Sequence, residues 1–440
     1  VTQFSLNYNR IFTLPSAVYM PRTNFAGLGI GLTLKNFRHL ISSFPKKAGS
    51  VAVISPYRIG SQIQTWKNLL PNVKPYYAVK CNPEKAILQA MYTNGAGFDC
   101  ASLKEVYEVN TLNKESDTKK TDIIYAHPMK SERDICLVDS MHIQTTVVDS
   151  VEECEKLHKY GWRGSAFVRV AVEDSGSKMP FSSKFGASRD EVLEIAKYSK
   201  IPLSGVSFHV GSGCEEPEQY KDAIHYAAGE VSDILRKFKH NPHTIDIGGG
   251  FSSDESFKDT ARVISDSIAT FVPKGRRVIA EPGRYMAQPS QDLFVKIIAK
   301  KPLAGDHGGW RYVIDESLYG HFSCIPFDGQ RPAWIHIPSE ERVPILNKKQ
   351  ESILFGRTCD SLDVIARGQM EEMEVGDWLY FPLMGAYTSA TASEFNGFPK
   401  PESVIDLEDQ LPSTEVAWAM MNYIHDARPL TYSNTLPPIT

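Results

Sequence analysis

Between residues 76 and 280 the chain repeats one pattern eight times: a short β-branched or aromatic run, then a longer stretch with helical spacing. The runs fall at 76–79, 97–99, 123–126, 145–149, 167–170, 206–210, 244–247 and 278–280. Helical stretches such as 84–92, 103–109, 151–160, 189–198, 218–238 and 257–271 separate them. Strands alternating with helices read as parallel β-α-β units. A doubly wound open sheet shows the same alternation, so the count decides: eight strands point to a (β/α)8 TIM-like barrel. In such a barrel the active site lies at the C-terminal ends of the strands. Here those positions are Lys80, Asp99, His127, Ser150, Ala171, Gly211, Gly248 to Gly250 and Glu281, with Arg169 and His209 just before. Most are polar or glycine, the composition of a face with a task.

The rhythm changes on both sides of this block. Residues 292–299, 310–314, 334–337, 352–355 and 378–381 read as strands, as do 17–20 and 50–54, with a helically spaced segment at 34–41. The expected division is therefore a barrel at 56–285 and a mainly β domain built from 1–55 and 286–440. A chain of 440 residues is long enough for two cores. The tail after about residue 425, with Pro429, Pro437 and Pro438, reads as loosely held.

Composition narrows the partners. Lys+Arg 48 against Asp+Glu 52 gives a net charge of −4, with no basic run to make a nucleic-acid footprint. No apolar stretch approaches the roughly 20 residues of a membrane span, and Val1-Thr2-Gln3 opens no signal peptide. Seven scattered cysteines without a C-x-x-C fit a reducing cytosol. They argue against a disulfide framework or a zinc site, and no metal is expected.

Five clusters carry chemistry. Lys80 ends the run Tyr76-Tyr77-Ala78-Val79, and Asn82-Pro83 then breaks it. A partly desolvated lysine there is expected to have a lowered pKa and to serve as an amine nucleophile toward aldehydes; a capping lysine reaching solvent is the plain alternative. His209 precedes Gly211-Ser212-Gly213, a turn small enough for an anion to approach, and its imidazole can lie against an aromatic ring. Gly248-Gly249-Gly250 follows a strand without Walker or dinucleotide-fold spacing, so it is either a phosphate cradle or a tight turn. Glu281, with Arg284 three residues on, can hold a pyridine nitrogen protonated or form a structural Glu–Arg pair. Cys359 stands beside Asp360 and Asp363, which suits a thiol to proton donation rather than to nucleophilic attack. A further loop brings Gly385, Tyr387 and Phe395 together as ligand groups or as core.

In this order the motifs Tyr-Ala-Val-Lys-Cys-Asn, Phe-Asp-Cys-Ala-Ser, His-Val-Gly-Ser-Gly, Asp-Ile-Gly-Gly-Gly-Phe, Glu-Pro-Gly-Arg, Thr-Cys-Asp-Ser-Leu-Asp and Met-Gly-Ala-Tyr-Thr resemble the eukaryotic-type ornithine decarboxylases. These are pyridoxal-phosphate enzymes with an alanine-racemase-like barrel and a β domain. The resemblance runs from about Tyr76 to Phe398. It implies that Lys80 carries pyridoxal 5'-phosphate, that Glu281 pairs with the ring nitrogen and that His209 stacks on the ring. It gives Ser212, Gly249, Gly250, Arg284 and Tyr387 to the phosphate, sets Asp99 and Arg169 near the cofactor, and makes Glu105 a support for that wall. It implies a cytoplasmic head-to-tail homodimer in which Cys359 comes from the partner subunit and returns a proton, while Asp328 and Asp360 receive the substrate's distal amine. The implied reaction is decarboxylation of L-ornithine to putrescine, in polyamine biosynthesis. L-lysine or a related basic amino acid is the alternative, and a non-catalytic regulatory homologue is a third reading.

Three positions depart from that pattern. Arg357 stands where proline is usual, His127 where asparagine is usual, and His321 where a small residue is usual. Arg357 and His321 border the expected substrate end and leave the choice among basic amino acids open.

Overall fold

The computed structural model describes residues 30–440 apart from 46–47, 116–120, 304–307, 340–348, 408, 428–429 and 433–440. The strand expected at 17–20 lies outside the described residues. Two compact units are present, Val1–Ser43 and Phe44–Thr440. The first contains a helix, Ile30–Ser42, spanning the segment with helical spacing.

The second unit holds the closed parallel barrel that the count of eight predicts. Its strands are β1 (Val73–Ala78), β2 (Gly97–Cys100), β3 (Ile123–Tyr125), β4 (Thr145–Val148), β5 (Ser165–Arg169), β6 (Leu203–Ser207), β7 (Thr244–Asp246) and β8 (Arg277–Ala280). Each pairs with the next, and β8 closes onto β1 through Ala280 against Pro75. Tyr76, Ile124, Val147, Phe167 and Ile279, one from each of five strands, form a small cluster of their own. Gly97 makes room for one of those rings, because a Cβ there would sit 2.6 Å from Tyr76. A larger core fills the space between strands and helices, where Trp66 stacks on Phe257 with centroids 5.5 Å apart.

Local sequence sets several helix starts. Ser55 caps Pro56–Leu69, with proline in the first turn where no N–H is missed. Ser188 with Glu191 and Ser131 with Asp134 form capping boxes on Arg189–Tyr198 and Glu132–Ser140. The stretch expected as one helix over 218–238 is broken by a π turn at Ala227–Val231.

A nine-stranded mixed sheet makes the second layer. Gln291–Pro302 is its long central strand, flanked by Trp378–Phe381, Trp310–Ile314 and Val51–Ile54. Lys349–Phe355 and Val364–Glu371 extend it. The tail after about residue 425 differs from expectation at 430–432; residues 428–429 and 433–440 lie outside the described residues. Helix Thr414–Ala427 leads into strand Leu430–Tyr432, which pairs with Val364–Glu371 and buries Tyr432. The backbone of 430–432 is thus held by a ladder that its proline-rich surroundings do not announce.

The barrel and the sheet are stapled together through buried charge. Arg58 makes two hydrogen bonds to Asp292, 2.9 and 3.0 Å, and Asp292 also accepts from the Tyr380 hydroxyl (2.6 Å) and the Leu383 amide (2.8 Å). Among the described residues no helix is long and apolar enough to cross a membrane.

Candidate active site

A small cleft opens at the C-terminal ends of the strands. Lys80, His209, Ser212, Gly249, Gly250, Glu281, Arg284 and Tyr387 line it, together with Ala78, Phe181 and Gly283. Eight of the expected positions are therefore gathered by the fold into one place.

β1 ends at Ala78, and a 3-10 turn, Val79–Cys81, lifts Lys80 onto the floor of the cleft. Its Nζ lies 3.1 Å from Asp99 Oδ2 on neighbouring β2. Burial pulls the ammonium pKa down, but Asp99, with Tyr387 and Glu281, outweighs it, and the pKa ends above the ordinary lysine value. This corrects the expectation of a lowered pKa: a carboxylate at contact distance is stronger than partial desolvation. In this state Lys80 is a stored cation that must lose its proton before it acts as a nucleophile.

Beside it, Glu281 follows β8, the strand that closes onto β1. Its Oε1 is buried without a hydrogen-bond partner, as are Asp246 Oδ2 and Asp99 Oδ1. Burial, with Asp246 and Asp99 nearby, raises the Glu281 pKa well above the carboxylate range. Asp246 is pushed up to about 7, again chiefly by burial, against a hydrogen bond from the Gly248 amide. Arg169, at the end of β5, has its pKa lowered by burial, with Glu281 and Asp149 opposing.

His209 lies past β6, in the loop leading to ribbon strand Ser212–Cys214, which pairs with Ser177–Met179. Its Nδ1 accepts from the Gly211 amide (3.0 Å), and Phe181 meets its ring edge-on at 4.9 Å. Burial, then Arg169 and Lys80, drives its pKa well below the usual value, so the ring is neutral. Gly249 and Gly250 leave no room for side chains. A Cβ on Gly249 would lie 2.8 Å from His209 Nε2, and one on Gly250 would lie 2.7 Å from Gly211 O and Tyr220 Oη.

Arg284 donates to both Asp328 oxygens, at 2.7 and 2.8 Å, and to Ser212 Oγ at 3.0 Å. Its carboxylate partner is thus Asp328 of helix Cys324–Asp328, not Glu281, and Asp328 meets a guanidinium before any substrate amine. Tyr387 reaches the cleft because its amide donates to the Cys81 carbonyl (3.0 Å), next in sequence to Lys80. Its ring lies 5.3 Å from the Arg284 guanidinium. Glu105 accepts from the Ala101 amide (2.6 Å), and burial pushes its pKa up to about 7.

Cys359 and Asp360 do not line this cleft. Cys359 is exposed on the loop that follows Lys349–Phe355, its amide donating to Asn396 Oδ1 at 2.9 Å. Asp360 accepts from the Tyr319 hydroxyl. Sequence reading missed Phe181, Gly283 and Asp246. Asp246 precedes the Gly-rich turn it supports, so the turn itself was the available signal; Phe181 sits in a loop with no motif.

The residues fit pyridoxal phosphate. Glu281 Oε1 is buried without a hydrogen-bond partner, as a group that bonds a ring nitrogen would be, and two glycines with no room for a Cβ line the same cleft as Ser212, a guanidinium and Lys80.

Residues 57–288 match the family model for the pyridoxal binding domain of pyridoxal-dependent decarboxylases, and residues 284–385 match the model for their C-terminal sheet domain. The probable ornithine decarboxylase of Dictyostelium discoideum is 37% identical over 358 residues, 77% of this chain and 76% of that protein. Antizyme inhibitor 2 of Xenopus laevis is 37% identical over 357 residues, 75% of each chain. The crystal structure of the Paramecium bursaria Chlorella virus arginine decarboxylase superposes with a TM-score of 0.79 at 32% identity, covering 85% of this chain and 100% of that one.

Proposed function

This chain belongs to the pyridoxal-dependent decarboxylases, and we propose that it converts L-ornithine to putrescine and carbon dioxide. The observation that carries this reading is that Lys80 and Glu281, whose buried Oε1 has no hydrogen-bond partner, line one small cleft. Bound pyridoxal phosphate supplies the electron sink for the pair left behind when carbon dioxide departs.

The side chains divide the remaining work. Lys80 would hold the aldehyde end of the cofactor. Ser212, Gly249, Gly250, Arg284 and Tyr387 would hold its phosphate. Glu281, with its raised proton affinity, would share a proton with the ring nitrogen. Neutral His209 would lie on the ring face, with Asp99 and Arg169 beside it. Asp99 stores and orients the Lys80 proton. Cys359, brought by the second subunit of a homodimer, would return a proton to the substrate carbon. Asp360 of that subunit, with Asp328, would neutralise the distal ammonium, whose burial without a counter-charge is costly. Free cysteines throughout the described residues fit a cytoplasmic setting.

The test is direct. The protein and its Lys80→Ala variant are incubated with pyridoxal phosphate and, separately, L-ornithine, L-lysine and L-arginine, and the amines are quantified. Putrescine as the dominant product, absent from the variant, is the expected result. Cadaverine or agmatine in its place moves the substrate assignment and keeps the chemistry. No amine from any of the three overturns the reading: it points to another substrate if the protein takes up pyridoxal phosphate, and to a non-catalytic protein if it shows no cofactor absorbance.

A further inference from the structure

The loop 356–363 has an exposed tip and a buried root, and the root is built around two carboxylates. Asp363 accepts from the Leu318 amide (2.8 Å), the Thr358 amide (3.0 Å) and the Thr358 hydroxyl (2.6 Å). Glu316, with a side chain 1% exposed, takes contacts from both of its neighbours in this region. His321 approaches it with its amide (2.6 Å) and Nδ1 (3.2 Å), and the Arg357 guanidinium lies 3.7 Å away. The Glu316 carbonyl also accepts from the Arg357 amide, at 3.1 Å.

Arg357 does more than answer that charge. Its Nη2 donates to the Pro399 carbonyl (2.6 Å), and its guanidinium lies 4.6 Å from the centre of the Phe398 ring. The segments 316–321 and 394–399 are thereby tied to one side chain, and these same segments supply Tyr319 and Asn396 to the tip. Arg357 stands two residues before Cys359, so a change in its direction swings the thiol.

We propose that Glu316 and Arg357 are positioning residues that, with His321 as a second arm on Glu316, set the direction in which Cys359 and Asp360 are presented to the neighbouring active site. The charge of Arg357 is spent on Glu316 and is not displayed to the substrate. This inference rests on the reading of Cys359 as proton donor. A displacement of about 1 Å at a proton-transferring group can cost roughly 100-fold in rate, whereas the cofactor cleft is built from other segments and stays intact.

The experiment compares Glu316→Gln, Arg357→Gln, Arg357→Lys and Cys359→Ala as cofactor-loaded proteins, using the amino acid that the unmodified protein turns over. Arg357→Gln and Glu316→Gln should lower kcat about 10- to 100-fold, with KM for the amino acid and affinity for pyridoxal phosphate unchanged. Arg357→Lys should recover most of kcat. Arg357 is partly exposed, so its variants carry the test if Glu316→Gln fails to fold. Unchanged kcat in Arg357→Gln beside a slow Cys359→Ala overturns the proposal alone. A kcat that falls only with lost cofactor affinity or lost folding also overturns it. Unchanged kcat in Cys359→Ala overturns the reading of Cys359, and the proposal with it.

Discussion

Arg284 and Asp328 face each other across the seam between barrel and sheet, joined by hydrogen bonds of 2.7 and 2.8 Å. One comes from the turn after β8 and the other from a short helix of the sheet domain, so the pair ties the proposed phosphate end of the cleft to the proposed amine end. Both side chains are largely buried, at 15% and 7% exposure.

Removing one partner strands the other. Asp328→Ala should cost about 3–5 kcal/mol, because it leaves a buried guanidinium without its counter-charge. Asp328→Asn, which keeps hydrogen-bond acceptance, should cost less. Thermal unfolding of the two variants checks the order, and a raised KM for the diamino acid in both is expected.

Stability of the cofactor-free protein should depend on pH through Asp246. Its folded pKa of about 7 lies above its unfolded value of about 4, so folding favours the protonated form. The contribution is fully present below about pH 4 and is lost as pH rises through about 7. Glu105, also pushed up to about 7, acts in the same direction. The melting temperature should therefore fall between pH 6 and pH 8 by more than in an Asp246→Asn variant.

Gly250 adopts φ +107°, and a Cβ there would lie 2.7 Å from backbone and from a buried tyrosine hydroxyl. Gly250→Ala should lose about 1–3 kcal/mol to backbone strain and bind pyridoxal phosphate more weakly, as read by titrating cofactor absorbance.

The proposed homodimer, with active sites shared between subunits, makes an arithmetic prediction. Lys80→Ala should be inactive alone and Cys359→Ala should be slow alone. Mixed in equal amounts and allowed to exchange, they should recover roughly a quarter of the unmodified activity, since half the dimers are mixed and each of those has one intact site. No recovery after confirmed exchange would place both groups in the same subunit's site.

Much of the site was legible because its signals are local. Lys80, Gly249, Gly250 and Glu281 each follow a strand by a residue or a few, and a barrel sends all such positions to one face. Phe181 was not legible, because its place over His209 depends on the ribbon that pairs Ser177–Met179 with Ser212–Cys214. Strand Leu430–Tyr432 was missed for the same reason: its partner lies more than 60 residues back, and proline-rich flanks hide three residues of ladder.

The sequence by itself determined the barrel, since strand count and alternation are properties of neighbouring residues, and it determined which side chains stand at the strand ends. Only the tertiary structure decided what state those side chains are in. The proton affinity of Lys80 turned on Asp99 at 3.1 Å, the partner of Arg284 was Asp328 rather than Glu281, and Tyr387 entered the cleft through the Cys81 carbonyl. Desolvation and charge proximity are sums over atoms brought together by folding, so they have no value until residues far apart in the chain share one cavity.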